Sequence, residues 1–482
     1  MSRLVTSDSA PARNTEIATG AVAAGLNLAS RAPDGAGRVL ARALKRVARS
    51  PQQRMLAEWV QEYLAPGGPG AAYVKRLTRQ VDPKVRRRFI AGFIASLFFR
   101  NPEVSAELKR THGISAPSLL AISPSMRCNL RCTGCYAGNY SRKDDLPVET
   151  VDRVLKEAES IGTRTFIIIG GEPFMWRPLL DLIQDHPNSF FQVFTNATLI
   201  NEDTADRIVE LGNMAPAISI EGGRDVTDAR RGTGTYDRVI AAMERLRDRG
   251  AIFSFSATAS RDNLDEVISE EFIDTMIEKG ALYGWYFTYI PIGLNPDLSY
   301  MPTPEERDRL RRGVNRIRNT KPILVADFWN DGAVTGGCLA GGRKYLHINN
   351  EGDVEPCVFC HFAVDNIKDT SLLDALTSDF FRGIRDLQPF GHNLLRPCPL
   401  VDHPGVVKHV VNKYGAYPTH RGADSLIKDE LQEGLRAYAR GLRDVYAPVW
   451  EKEYRWAEEW LSSDANWQER TAAGRDAEEQ LN

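Results

Sequence analysis

Residues 128–135 read CNLRCTGC and place three cysteines, Cys128, Cys132 and Cys135, in one short loop. Three thiolates this close can bind three irons of a cubane [4Fe–4S] cluster and leave the fourth iron without a protein ligand. A structural zinc ion needs a closed set of four ligands, usually supplied as pairs of cysteines two residues apart, and no nearby histidine completes such a set. The run therefore predicts a cluster with one open iron, where a small molecule can coordinate.

The sequence around this loop alternates short apolar runs with amphipathic helical segments. Six such units predict parallel strands and an α/β fold. A closed eight-unit barrel usually needs about 250 residues, whereas the repeats here span about 200 residues and are expected to stop after Lys321. An open, partial barrel is the better prediction. The strands are predicted at residues 119–122, 165–169, 190–194, 217–220, 253–257 and 285–290, and helices at 148–161, 202–211, 236–249 and 269–279.

The composition is that of a large globular protein. The 482 residues include 43% hydrophobic and 26% charged residues, and the formal net charge is −2. Because the chain is not basic, we expect no nucleic-acid partner. The longest apolar run, residues 89–99, is too short to cross a bilayer, and no secretory signal precedes it. Seven cysteines in so long a chain do not form a disulfide scaffold, so a cytoplasmic location is expected.

The segments on either side of the repeats have a different character. Residues 7–14 are expected to be disordered, and helices are predicted from near Val39, at 53–64 and at 84–99. A two-stranded hairpin is predicted at 345–354, and the tail over 425–481 reads as helical. These patterns predict four units: a helical N-terminal extension (1–117), the partial barrel (118–320), a second cysteine-bearing unit (321–410) and a helical C-terminal tail (411–482).

The cysteine loop resembles the signature of the radical S-adenosylmethionine (SAM) superfamily, whose fold is a partial (β/α)6 barrel with the cluster loop after the first strand. The second predicted strand ends in Gly170-Gly171-Glu172-Pro173, which resembles the family's GGEP segment for the methionine amino group of SAM. Glycine permits close approach, and a carboxylate suits an ammonium group. Alone, this segment would be an ordinary helix start; one strand–helix unit after the cysteine loop, it supports the resemblance.

The resemblance implies further SAM-binding residues at later strand ends. They are, in chain order, Thr195, Asn196, Ser219, Glu221 and Arg230. Arg231 follows the last of them, and a surface or capping role is the alternative for each. The residue before the third cysteine, often aromatic and placed against adenine in the family, is Gly134 here. Tyr136, or the end of the sixth strand at 288–290, is the candidate to take its place.

The second set of cysteines resembles the auxiliary-cluster extension called SPASM, or its shorter twitch form. It consists of Cys338, Cys357, Cys360 and Cys398. The full pattern has seven cysteines for two clusters, so four cysteines predict one auxiliary [4Fe–4S] cluster. Cys360 is the least secure ligand, with an acid or a packing role as alternatives. A zinc site is the alternative for the set, and His361, His392 and His403 are close enough in sequence to substitute as ligands.

The resemblance implies an enzyme that cleaves SAM reductively to a 5′-deoxyadenosyl radical, which abstracts hydrogen from a substrate. It also implies a low-potential electron donor such as flavodoxin or ferredoxin. The aromatic residues around the last predicted strand suit a hydrophobic small molecule or a lipid. They are Trp285, Tyr286, Phe287, Tyr289 and Tyr300.

Two other functions remain open. One is maturation of a ribosomally made peptide, although the helical N-terminal segment does not resemble the winged-helix domain that many such maturases carry. The other is a non-catalytic iron–sulfur or zinc protein. The basic residues of 84–88 beside the apolar run 89–99 suggest either a helix buried against the barrel, which we favour, or contact with an anionic membrane surface.

Overall fold

The computed structural model describes residues 45–46, 58–65, 68–94, 102–457 and 481. The disorder expected at 7–14, the helix near Val39, the end of the helix predicted at 84–99, and most of the tail after residue 457 lie outside these residues. Of the helix predicted at 53–64, residues 58–63 are helical.

The core of the molecule is a nine-stranded sheet with the order β7-β6-β5-β4-β3-β2-β1-β8-β9. Neighbours from β7 to β8 run parallel, and β9 is antiparallel to β8. The strands are β1 Leu120–Ile122, β2 Thr165–Ile168, β3 Phe190–Thr195, β4 Met214–Ser219, β5 Ser254–Ala259, β6 Tyr283–Thr288, β7 Leu324–Asp327, β8 His347–Ile348 and β9 Val354–Glu355, and a separate pair is formed by β10 Phe362–Ala363 and β11 Tyr417–Pro418.

All six predicted strands are present, with shifted ends, and the predicted hairpin is β8–β9. We expected the repeats to end at Lys321, but one more parallel strand follows. This strand is β7, which pairs with β6. The hairpin of the second cysteine-bearing unit is not separate from the barrel either. It continues the barrel sheet beyond β1, so both cysteine sets are built on one sheet.

Helices cover the outside of this sheet. They are α1 Gly70–Gln80, α2 Pro83–Phe89, α3 Pro102–His112, α4 Val148–Ser160, α5 Leu179–Asp185, α6 Glu202–Leu211, α7 Arg224–Arg231, α8 Thr235–Asp248, α9 Leu264–Val267, α10 Glu270–Glu278, α11 Pro304–Thr320, α12 Gly332–Thr335, α13 Leu372–Thr377, α14 Asp379–Asp386, α15 Pro404–Tyr414 and α16 Asp429–Glu453, and a π-helical turn, Ile90–Ile94, continues α2. No helix in the described part of the chain is long and apolar enough to span a membrane.

The sheet curls into an open barrel, because β3 and β6, three strands apart, touch across its interior. The Tyr283 hydroxyl of β6 donates to Gln192 Oε1 of β3 at 2.5 Å, and the rings of Phe194 and Trp285 lie 6.3 Å apart. The alternate side chains point outward and are buried under the helices. Phe255, for example, packs edge-on against Phe272 of α10.

Helix α2 and the π-helical turn close the barrel at the amino ends of its strands. Phe89 lies 5.4 Å from Phe190 and 6.1 Å from Tyr283, measured between ring centroids. Two residues of the basic cluster bond the carbonyls that end α6: Lys84 donates to Glu210 O at 2.8 Å, and Arg88 donates to the Leu211 carbonyl. The described part of the predicted helix is therefore buried against the barrel, through Val85, Phe89 and Ile90, as favoured above.

Candidate active site

The cysteine loop follows β1 and lies at the carboxyl edge of the sheet, where the loops of such barrels form binding sites. Its three cysteines are half-buried and reduced. Helix α7 fastens the loop, since Thr133 N–H donates to Arg230 O at 3.0 Å and Arg230 Nε donates to Thr133 O at 3.3 Å. Burial raises the pKa of the Cys128 and Cys135 thiols, and neighbouring loop thiols raise it further.

The two glycines of the GGEP segment allow the second strand to continue alongside the cysteine loop. Gly171 N–H donates to Ser125 O at 3.0 Å, and Glu172 N–H donates to Arg127 O at 2.8 Å. A Cβ atom at Gly170 would lie 2.3 Å from Ser125 O, and one at Gly171 would lie 2.2 Å from Arg127 O. Gly170 also has a φ of +122°. Only glycine fits at this close approach of two backbones.

Glu172 is a fully buried carboxylate, held by the end of β3. Its Oε1 accepts from the Thr195 hydroxyl at 2.6 Å, and its Oε2 accepts from Asn196 N–H at 2.7 Å. Pro173 then begins a 3-10 turn, whose Phe174 N–H donates to Glu172 at 3.2 Å. Burial raises the pKa of Glu172 to about 7, against these hydrogen bonds. A cationic group at this carboxylate would restore its charge.

Asn196 joins this carboxylate to the cysteine loop. Its side-chain amide donates to Asn129 Oδ1 at 2.9 Å and lies 3.9 Å from Cys128 Sγ. The GGEP segment, the end of β3 and the first loop cysteine therefore form one hydrogen-bonded unit.

Glu221, just beyond β4, is a second fully buried carboxylate, and two arginines of α7 neutralise it. Arg230 Nη1 lies 2.7 Å from one carboxylate oxygen, and Arg231 Nε donates to the other at 2.8 Å. Burial alone would raise the pKa of Glu221, but the two guanidinium groups hold it below its ordinary value. Arg231 is also within electrostatic range of the Cys132 and Cys135 thiols. This ion-pair cluster places fixed positive charge beside the cysteine loop.

The ring of Tyr289 occupies the space beside Gly134. A Cβ atom at Gly134 would lie 2.7 Å from Tyr289 Cε2. Tyr289 belongs to the segment 288–290, one of the two candidates for this place. The other candidate, Tyr136, packs against Phe359 instead, at 5.6 Å between ring centroids. Ser219 ends β4 on the interior face, half-buried.

The four cysteines of the second set come from three segments, and their thiols interact electrostatically. Cys338 follows α12, Cys357 and Cys360 form a turn after β9 in which Cys360 N–H donates to Cys357 O at 3.0 Å, and Cys398 lies before α15. Burial raises the pKa of Cys338 to about 11 and of Cys357 to about 12, and it also raises the pKa of Cys360 and Cys398 well above the ordinary thiol value. Each thiol is in electrostatic range of others in the set, Cys360 included.

The nearby histidines already have partners. His361 Nε2 lies 3.0 Å from Val358 O, and its Nδ1 lies 2.6 Å from His420 Nε2. His403 Nε2 lies 2.7 Å from Arg396 O, and His392 packs beside Trp450. In the described chain, no three Cys, His, Asp or Glu side chains converge on one metal ion. Four thiolates are the ligand set of a [4Fe–4S] cluster, and they need no histidine to complete it.

A buried polar network that sequence analysis missed joins the two cysteine-bearing regions. Glu355, two residues before Cys357, accepts from the Tyr140 hydroxyl at 2.6 Å and lies 2.6 Å from His347 Nδ1. His347 Nε2 lies 2.7 Å from the hydroxyl of Ser123, which leads from β1 into the cysteine loop. Glu355 lies one residue beyond the hairpin predicted at 345–354, and no sequence pattern revealed its partners.

Two family models match the chain: the radical SAM superfamily over residues 122–272, and the SPASM iron–sulfur cluster-binding domain over residues 338–399. Among curated relatives, an AdoMet-dependent heme synthase of Methanosarcina barkeri is 24% identical over 303 residues, covering 56% of this chain and 86% of the relative. The mycofactocin maturase MftC of Mycobacterium tuberculosis is 27% identical over 300 residues, covering 58% and 75%.

Solved structures with the same fold include SuiB of Streptococcus suis. The complex with precursor peptide SuiA has a TM-score of 0.53 at 20% identity and covers 68% of this chain and 79% of that chain. The complex with S-adenosylmethionine has a TM-score of 0.52 at 22% identity, covering 61% and 74%. The radical SAM domain implies a [4Fe–4S] cluster and SAM, and the SPASM domain implies auxiliary iron–sulfur binding.

Proposed function

We propose that this chain, which carries a radical SAM domain followed by a SPASM domain, cleaves SAM reductively and abstracts hydrogen from a hydrophobic small molecule. The observation that carries the proposal is the arrangement at the carboxyl edge of the barrel. Three loop cysteines lie there beside the buried carboxylate of Glu172 and the arginines of α7, above the barrel interior.

The residues fit the groups that this chemistry requires. Cys128, Cys132 and Cys135 would hold the first cluster and leave one iron open, and the four cysteines of the second set would hold the auxiliary cluster. When bound, the first cluster supplies one electron to SAM, whose C5′–S bond breaks to give methionine and the 5′-deoxyadenosyl radical. Radical SAM enzymes use low-potential donors such as flavodoxin or ferredoxin, and we propose the same here.

The protein's own part is to bind and orient. Glu172, fixed by Thr195 and Asn196, offers a desolvated carboxylate for the ammonium group of SAM. Its pKa near 7 favours a cationic partner, because such a partner offsets the cost of burying its charge. Arg230 and Glu221 hold α7 against the cysteine loop, so their role is to position the loop.

The second candidate is maturation of a ribosomally made peptide. The match to a mycofactocin maturase favours it, whereas the match to a heme synthase points to a different substrate. The relatives therefore do not choose between the two substrate classes. The chemistry of the barrel interior bears on that choice.

The proposal is tested by product analysis. The anaerobically reconstituted protein is reduced with dithionite or reduced flavodoxin in the presence of SAM, and 5′-deoxyadenosine is measured by mass spectrometry. We expect release from the wild type and none from Cys132→Ala, while Cys398→Ala keeps the SAM-derived product. No release above Cys132→Ala from wild type with an intact loop cluster would reject the proposal.

A further inference from the structure

We propose that the substrate held in the barrel interior is an uncharged apolar molecule with one polar oxygen. The apolar body lies against an aromatic wall of Phe194, Trp285 and Phe287, and the oxygen faces a hydroxyl strip of Ser219, Ser256 and Thr258. This assignment rests on the proposed function and specifies the substrate of the same site.

The interior is open toward the carboxyl ends of its strands, because several inward-facing side chains there are more exposed than their neighbours along the strands. The strand registers place Phe194, Ser219, Thr258, Trp285 and Phe287 on the inner face. Each of these is half-buried, whereas the residues beside them along the strands are buried. Ile167 of β2 and Ala326 of β7 follow the same pattern. Inward-facing residues nearer the amino ends, such as Gln192 and Ser254, are buried, so close packing is confined to that end of the interior.

The wall of the open interior is aromatic on one side. Phe194 lies 6.3 Å from Trp285 and 5.8 Å from Phe287 between ring centroids. Phe328, which follows β7, lies 5.3 Å from Phe287. Faces and edges of such rings favour apolar and aromatic ligands.

The second cysteine-bearing unit provides a roof for this wall. Phe359, between Cys357 and Cys360, lies 6.3 Å from Phe287 and 5.3 Å from Trp329. It also contacts Tyr136, which follows the third loop cysteine. The interior is thus bounded above by residues adjacent to both cysteine sets, which puts a bound molecule next to the radical source.

The wall beside the aromatic side carries the hydroxyl strip. Ser219 pairs in register with Ser256, Ser256 pairs with Trp285, and Thr258 pairs with Phe287. In the described chain, none of the three hydroxyls has a hydrogen-bond partner, although all three lie on the inner face. A hydroxyl or carbonyl oxygen of a ligand would supply one.

The interior side chains named here are all uncharged, which disfavours a charged ligand. The two carboxylates at the rim of the interior, Glu172 and Glu221, already take part in the hydrogen bonds and ion pairs described above. The floor is closed by Phe89, Phe190 and the Tyr283–Gln192 hydrogen bond. Uncharged walls above a closed floor suit a compact apolar molecule, because ionised groups are costly to bury without a partner.

The test uses probes of matched shape: 2-naphthol, naphthalene and 2-naphthoate. Binding to the reconstituted full-length protein with SAM is measured anaerobically by calorimetry. We expect wild type to bind 2-naphthol at least about tenfold more tightly than 2-naphthoate. The double variant Ser256→Ala/Thr258→Val should weaken 2-naphthol about 2- to 10-fold, the loss typical of a hydrogen bond, and leave naphthalene unchanged.

The second part of the experiment fills the barrel interior with a larger side chain at position 326. Ala326→Trp, with Ala326→Leu as the milder variant, should weaken 2-naphthol and naphthalene at least about tenfold, whereas Val334→Trp, at an exposed position, should not. Equal binding of 2-naphthoate, or unchanged binding to the filled variants, overturns the assignment.

Formation of 5′-deoxyadenosine without substrate is measured on the same samples. Cleavage of SAM with no probe binding in the interior would overturn the substrate site and leave the proposed function standing. Probe binding without SAM cleavage would reject the proposed function alone.

Discussion

Arg307→Met is predicted to detach the auxiliary cysteine Cys398 from the barrel. Arg307 of α11 and Asp402 are both fully buried and form an ion pair, and Asp402 Oδ2 accepts from Cys398 N–H at 2.9 Å. Arg307 also donates to Leu395 O at 3.1 Å and lies over the Tyr446 ring of α16. Removing one partner of a buried pair costs about 3–5 kcal/mol, which is a large share of the about 5–15 kcal/mol that stabilises a domain.

The assay is iron and acid-labile sulfide per chain after reconstitution and desalting. We expect about eight irons in wild type and about four in Arg307→Met, since one cubane of four irons is lost, together with a lower urea midpoint. The double variant Arg307→Met/Asp402→Asn removes both charges and keeps an amide oxygen for Cys398 N–H, so it should regain most of the iron. Wild-type iron content and an unchanged midpoint in Arg307→Met would refute the reasoning.

Three further predictions follow from the same contacts. Gly171→Ala should lose about four irons, because its Cβ would lie 2.2 Å from Arg127 O. Gly113→Ala, which is strained by a φ of +72° but lies outside the cysteine loop, should keep them, as iron analysis will show. Glu221 has a lowered pKa, so its stabilisation is present above the ordinary carboxyl pKa and is lost as pH falls through the lowered value. Urea midpoints of the metal-free protein should therefore fall more steeply below about pH 5 in wild type than in Glu221→Gln. Phe89→Ala should reduce the free energy of unfolding by about 3–5 kcal/mol, measured by urea titration, because it opens a cavity at the barrel floor; an unchanged midpoint would contradict this.

Sequence patterns predicted the parts of the molecule that local rules control. The cysteine loop, the six strands and the hairpin could be read from spacing and periodicity, because each depends on residues close in the chain. Strand β7 was missed: its four residues follow a long helix, and only its pairing with β6 identifies it as a strand. Short apolar runs of this kind are ambiguous without their partners.

The missing site features depend on contacts between distant segments. The sequence left the place beside Gly134 open between Tyr136 and the segment 288–290, because Tyr289 lies about 150 residues further along the chain. The network from Ser123 through His347 to Glu355 requires β8 to pair with β1. Strand registers, and not composition, show which aromatic residues of β6 face the interior: Trp285 and Phe287 do, whereas Tyr286 points outward and donates to Val267 O.

The most direct measurement is the electron paramagnetic resonance spectrum of the reduced protein before and after addition of SAM. To isolate the loop cluster, the sample is the Cys338→Ala/Cys357→Ala/Cys360→Ala/Cys398→Ala variant, with wild type in parallel. An open iron bound by Cys128, Cys132 and Cys135 predicts a cubane signal that changes when SAM coordinates. A signal that stays the same with saturating SAM, in protein whose loop holds iron, would contradict the account.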